Sequence, residues 1–178
     1  MTPPAWVVIE LQRGVWLSSA PWHYWASLAV ALGALSYTLT LTVLSRGPWS
    51  AFVAGLVCYS FGEYAWHRWV AHGPPMRSLM GGHHAAPADG FTVPLHWLVC
   101  FLLLCWAVWS VVCSPAAADA LTAGLLALHC YTEASHWLIH QGWNVPLARH
   151  HLHHHSNTRV NFSGTTTLWD SIFGTRRK

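Results

Sequence analysis

Residues 61–74 read FGEYAWHRWVAHGP, and residues 129–140 read HCYTEASHWLIH. In both, an apolar run gives way to two histidines, with a glutamate about one helical turn earlier. Glu63 precedes His67 by four residues and Glu133 precedes His136 by three. Upstream of each lies a long apolar stretch; downstream lies a polar segment with more histidines. His83 and His84 follow the first, and His151, His154 and His155 follow the second. Thirteen of the 14 histidines fall between His67 and His155, so the clustering demands an explanation.

The apolar stretches set the fold class. Only 8% of the 178 residues are charged, against about a quarter in soluble domains. With 13 Trp and 53% apolar residues, this deficit points to a membrane. A spanning helix needs about 20 apolar residues. Residues 25–44, 49–66, 94–113 and 116–138 approach that length, the last being the least apolar. Turn residues Arg46-Gly47-Pro48 and Cys113-Ser114-Pro115 close two tight hairpins between them. Residues 5–17 suit a short amphipathic segment at the interface. The expected architecture is all-α: an integral membrane domain of four transmembrane helices with a histidine-rich cap, residues 67–93 and 139–178.

Four spans put both histidine segments on one side. Arg13, Arg68, Arg77, Arg149, Arg159, Arg176, Arg177 and Lys178 share that side, and Arg46 alone lies opposite. The positive-inside rule makes the histidine face cytoplasmic. A multi-pass protein of the bacterial inner membrane is expected. The net charge of +3 gives no case for nucleic acid. Cys58, Cys100, Cys105, Cys113 and Cys130 form no C-x-x-C pair and suit apolar packing.

Nine histidines stand in the clusters: His67, His72, His83, His84, His136, His140, His151, His154 and His155. Residues four apart share a helix face, so His136 and His140 can aim at one point. His151, His154 and His155 also share a face in a helical segment. His67 and His72, five apart, diverge on a regular helix, and a frayed last turn ahead of Gly73-Pro74-Pro75 would bring them together. Neutral imidazole suits Fe and Zn, and nine rings exceed what one ion holds, so two ions fit better. Solvated surface histidines would not repeat one pattern after two separate spans. Glu63 and Glu133 lie where charge is costly and are expected to accept a ligand N–H. His129 shares their stripe but sits deeper; a bond to a neighbouring helix suits it best. His23 and His96 stand alone near span ends.

These boxes resemble the fatty acid hydroxylase / sterol desaturase superfamily. The resemblance runs from about Phe61 to Thr175. His67-x4-His72, His83-His84, His136-x3-His140 and His151-x2-His154-His155 match its four boxes in order. The tail Asn161-Phe162-Ser163-Gly164, Leu168-Trp169-Asp170 and Phe173-Gly174-Thr175 resembles the family's ending. Read alone, that tail is a loop and a short amphipathic helix, with Leu168, Trp169, Ile172 and Phe173 against the membrane or the cap. Two departures stand out. Met80 takes the place of the second box's first histidine, so one ion loses a ligand unless His129, His150 or water replaces it. Ser163 stands where glycine is usual.

The resemblance implies two iron ions, O₂, a lipid drawn sideways from the bilayer and a separate electron-transfer partner. The expected reaction is hydroxylation of a C–H bond in a fatty acyl, sphingolipid, sterol or carotenoid substrate. Desaturation or decarbonylation would use the same site. A zinc hydrolase, or a metal-binding membrane protein without catalysis, shares the histidine chemistry and is told apart by O₂ consumption.

Overall fold

A computed structural model describes residues 21–74, 76–85 and 95–177. The interfacial segment expected at residues 5–17 lies outside them, as do Pro75, Pro87 and Lys178. No strand occurs among the described residues. Among the described residues seven α-helices follow in chain order: α1 Pro21–Leu44, α2 Trp49–Ala65, α3 Arg77–Ala85, α4 Leu95–Val112, α5 Pro115–His140, α6 Ala148–Ser156 and α7 Leu168–Ile172. α2 runs on as a π-helical turn over Trp66–Ala71.

α1 and α4 are long and apolar enough to cross a membrane. Their apolar side chains point outward. Val111 is 86% exposed, and Leu44, Leu103 and Leu104 are also open. A water-soluble fold hides such groups; lipid-facing helices show them. The interior holds small and hydroxylated residues instead, among them Ala31, Thr38, Thr42, Ala120, Thr122 and Ala123. The hydroxyls of Thr38, Thr42 and Thr122 donate 2.8 Å bonds to carbonyls four residues back, so these three buried hydroxyls are satisfied within their own helices.

α5 is the central post. It starts cleanly because Ser114 caps it, accepting from Ala117 N at 3.3 Å, with Pro115 in the first turn. α1 and α2 pack along it, and α4 touches it through Leu98, beside Leu125, Leu126 and Cys130. α2 and α5 approach so closely that each needs a glycine at the crossing. A Cβ on Gly55 would sit 2.2 Å from the Leu121 carbonyl oxygen. One on Gly124 would sit 2.0 Å from that of Phe52. The crossing aligns the ends of α2 and α5, which carry the two glutamates and the first histidine of each pair.

The π turn corrects the frayed-end expectation for His67 and His72. His72 N donates to His67 O at 3.0 Å, a bond spanning five residues. The wider turn takes in one more residue than an α-turn, so residues five apart come to lie on one side. The spacing of the first box fits a π turn as the four-residue spacing of His136 and His140 fits an α-helix.

Candidate metal centre

Four elements converge at the end of the bundle: the π turn, α3, the end of α5, and α6. They bring eight histidines into two groups of four. The first is His67, His72, His84 and His154; the second is His83, His136, His140 and His155. Within each group, one ring nitrogen per residue lies within 4.8 Å of all the others. His151 sits at the second group, its Nε2 3.0 Å from that of His155 and its ring 4.6 Å from His136. Neighbouring residues on a helix point about 100° apart. His83-His84 on α3 and His154-His155 on α6 therefore each give one ring to either group. That sharing sets the groups side by side, with the rings of His84 and His155 4.5 Å apart.

The first group shows what the rings are prepared for. His72 Nε2 lies 3.2 Å from His67 Nε2, 3.0 Å from His154 Nε2 and 3.3 Å from His84 Nε2. His67 Nδ1 donates to the Phe162 carbonyl, and His154 Nδ1 donates to that of Val160 at 2.6 Å. A carbonyl only accepts, so both Nδ1 atoms carry the proton. On a neutral ring, Nε2 then presents a lone pair. Several lone pairs thus face one point, which suits a cation. In the second group, Nε2 of His136 and of His140 are buried without a hydrogen-bond partner. The donor set in both groups fits a transition metal.

Burial keeps the rings neutral, and the neighbouring imidazoles reinforce it. His72 is lowered to about 4, His83 and His154 to about 3, and His155 to about 2. His151 is also held well below the ordinary histidine value by burial.

The remaining candidates fall elsewhere. His129 Nδ1 shares a 3.2 Å hydrogen bond with the Tyr59 hydroxyl on α2. His150 Nε2 donates to Asp170 at 3.0 Å. Neither belongs to a group, and His153 joins none. Met80 is buried on α3, one turn before the His83-His84 pair. The Glu63 carboxylate holds the Gly164 amide, at 3.1 and 3.2 Å, and lies 4.0 Å from His67 Nδ1. Its expected bond to a ligand N–H is taken by the Phe162 carbonyl. Glu133 meets Tyr24 through its backbone, whose carbonyl accepts the hydroxyl at 3.1 Å.

A cavity of about 520 Å³ opens under the histidines, within the range of small-molecule sites. Cys58, Trp97, Leu98, Phe101 and Leu125 line its deep, apolar part. Tyr59, His129, Glu63 and Glu133 lie on its wall, and His67, His136 and His151 close its upper end.

The tail does more than the amphipathic reading expected. Trp169 Nε1 donates to Ser60 Oγ at 3.1 Å, and Phe173 stacks on Tyr64. Leu168 and Ile172 face outward. Asp170, fully buried, accepts from Phe162 N, Ser163 N, Thr175 Oγ1 and His150 Nε2. Burial works against its charge, but these bonds win and hold its carboxyl below the usual range. Asn161, in the left-handed region at φ 55°, accepts from Arg177 N at 2.7 Å and donates to the Arg177 carbonyl. Residue-type reasoning missed Asn161, Asp170 and Thr175 as supports of the site. The available signal was a lone acid inside the apolar run of α7.

The family model described as fatty acid hydroxylase matches residues 52–175. The chain belongs to the fatty acid hydroxylase family. It is 27% identical over 186 residues to a dihydroceramide fatty acyl 2-hydroxylase of Arabidopsis thaliana, covering 93% of this chain and 75% of that one. It is 25% identical to a ceramide very long chain fatty acid hydroxylase of Saccharomyces cerevisiae, covering 98% of this chain but 46% of that one. A rat fatty acid 2-hydroxylase is 29% identical over 70% of this chain and 38% of its own. The chain thus spans under half the length of the yeast and rat relatives. The solved structure titled full length scs7p, with only its hydroxylase domain visible, superposes with a TM-score of 0.74 at 22% identity. It covers 87% of this chain and 67% of that one, a likeness of fold.

Proposed function

We propose that this protein is a membrane-bound lipid hydroxylase that uses O₂ to oxidise a C–H bond of a fatty acyl chain. The observation that carries this reading is the cavity: mostly apolar in its lining, with His67 of the first histidine group and His136 of the second in its wall. An acyl tail suits the apolar part, with its polar end near the histidines. The relatives' names, as 2-hydroxylases of fatty acyl groups, support oxidation close to that polar end.

His67, His72, His84 and His154 would hold one metal ion, and His83, His136, His140 and His155 a second, with His151 beside it. Bound there, a pair of iron ions would supply the oxidising chemistry toward O₂, with electrons from a separate donor. The protein's own part is positioning. The Val160 and Phe162 carbonyls orient His154 and His67, and Glu63 ties the same loop to α2 through Gly164. The cavity wall excludes water from the substrate and holds its carbon near the histidines.

Four spans, formed by α1, α2 with its π turn, α4 and α5, would leave the histidine cap on the cytoplasmic face. The arginines of that cap support this topology. The test is lipid profiling of cells expressing the wild type or His84→Ala. A lipid gaining one oxygen only with the wild type is expected. Unchanged lipids in both would overturn the reading, and a product lighter by two hydrogens would make the enzyme a desaturase.

A further inference from the structure

Asp170 touches neither histidine group, yet its hydrogen bonds lead to one of them. We propose that Asp170 is a positioning residue for the first group, fixing His67 and His154 as Nδ1–H tautomers with both Nε2 lone pairs turned inward. The inference rests on reading that group as a metal site.

The linkage is mechanical. A trans peptide is planar, so its C=O and N–H point in opposite directions. Ser163 N–H is fixed on Asp170 Oδ2 at 3.0 Å. The carbonyl of the same peptide, that of Phe162, must then point away, and it meets His67 Nδ1. The next peptide back but one repeats the device. Asn161 N–H donates to the Thr175 carbonyl at 3.0 Å, so the Val160 carbonyl points away and meets His154 Nδ1. Thr175 is itself held by Asp170: its hydroxyl donates to Oδ1 at 2.7 Å, and its amide donates to the Asp170 carbonyl at 2.8 Å. One carboxylate thus sets two carbonyls and, through them, two rings. His136, His140 and His155 of the second group show no such attachment to this loop among the described contacts.

The chemistry requires a carboxylate. Oδ1 faces the Phe162 amide and Oδ2 faces the Ser163 amide, and neither backbone donor can become an acceptor. The Thr175 hydroxyl and the His150 ring can reverse their roles. An asparagine of the same shape must therefore set its NH₂ against one backbone N–H. In the Oδ2 place it meets the Ser163 N–H, whose peptide has to turn, and His67 loses the Phe162 carbonyl as its acceptor; in the Oδ1 place it meets the Phe162 N–H and disturbs the loop between the two carbonyls.

The test uses the full chain in detergent, as wild type, Asp170→Asn and Thr175→Val. Metal content and affinity are read for Fe(II) or Zn(II) added alone. Tautomers are read from ¹⁵N signals of labelled histidine in metal-free protein. Asp170→Asn is expected to lower the metal content from about two ions to about one. It is also expected to mix the tautomers of His67 and His154 while leaving His140 unchanged. Thr175→Val, the milder change if Asp170→Asn fails to fold, is expected to weaken one ion about tenfold and spare the other. Unchanged tautomers, or equal weakening of both ions, would overturn the proposal. A wild type that binds no metal would overturn the metal reading instead, and the ¹⁵N signals of the metal-free chain would still decide the role of Asp170.

Discussion

Imidazoles held neutral by burial leave a pH signature. His72 is lowered to about 4 and His83 and His154 to about 3, against an ordinary value of 6.5. The unfolded chain therefore takes up protons first as the pH falls below about 6.5, and the folded chain follows only near 4 to 3. Metal-free protein is expected to lose stability steadily between pH 6.5 and pH 4, read as a falling Tm in detergent. A flat Tm over that window would show that the rings are not neutral and buried. The ligand register is open to the same residue-level scrutiny. His154→Ala and His155→Ala are each expected to weaken one ion by tenfold or more, whereas His150→Gln and His153→Ala should leave both in place. Metal titration of the four variants checks this. That the nine box histidines gather at one end of the bundle could be expected from their spacing and the resemblance, because such a pattern is a property of residue type. The role of Asp170 was not, because it acts through peptide planes that only the folded tail defines.

At the scale of elements, the α2–α5 crossing decides whether the two halves of the site meet. Gly55 and Gly124 each face a backbone carbonyl at a distance no Cβ tolerates. Gly124→Leu is expected to force the helices apart, at or above the roughly 3 kcal/mol upper end of ordinary overpacking costs. Loss of monodisperse protein and of both metal ions, by size exclusion and elemental analysis, would report it. Retention of two ions would show that the crossing is less tight than described. The existence of the four long helices could be read from hydropathy. The π turn could not: the five-residue spacing of His67 and His72 was read as a frayed helix end. The bond from His72 N to His67 O shows a wider, ordered turn instead. The short helices of the cap carry too little periodicity to be placed from sequence, although nine clustered histidines already pointed to two ions rather than one.

For the whole molecule, topology and chemistry are linked. In the proposed topology a cytoplasmic cap would give the site access to a separate electron donor, while the lipid would enter the cavity from the bilayer. A reporter active only in the cytosol, fused after Lys178, is expected to work; an active periplasmic reporter at that position would reverse the membrane orientation. The central claim, oxygen insertion into a lipid at a two-metal histidine site, is tested most directly with isotopic oxygen. Cells expressing the wild type under ¹⁸O₂ should accumulate a hydroxylated lipid carrying one ¹⁸O atom, and cells expressing His84→Ala should not. A product whose added oxygen comes from water, or equal labelling with the variant, would contradict the account.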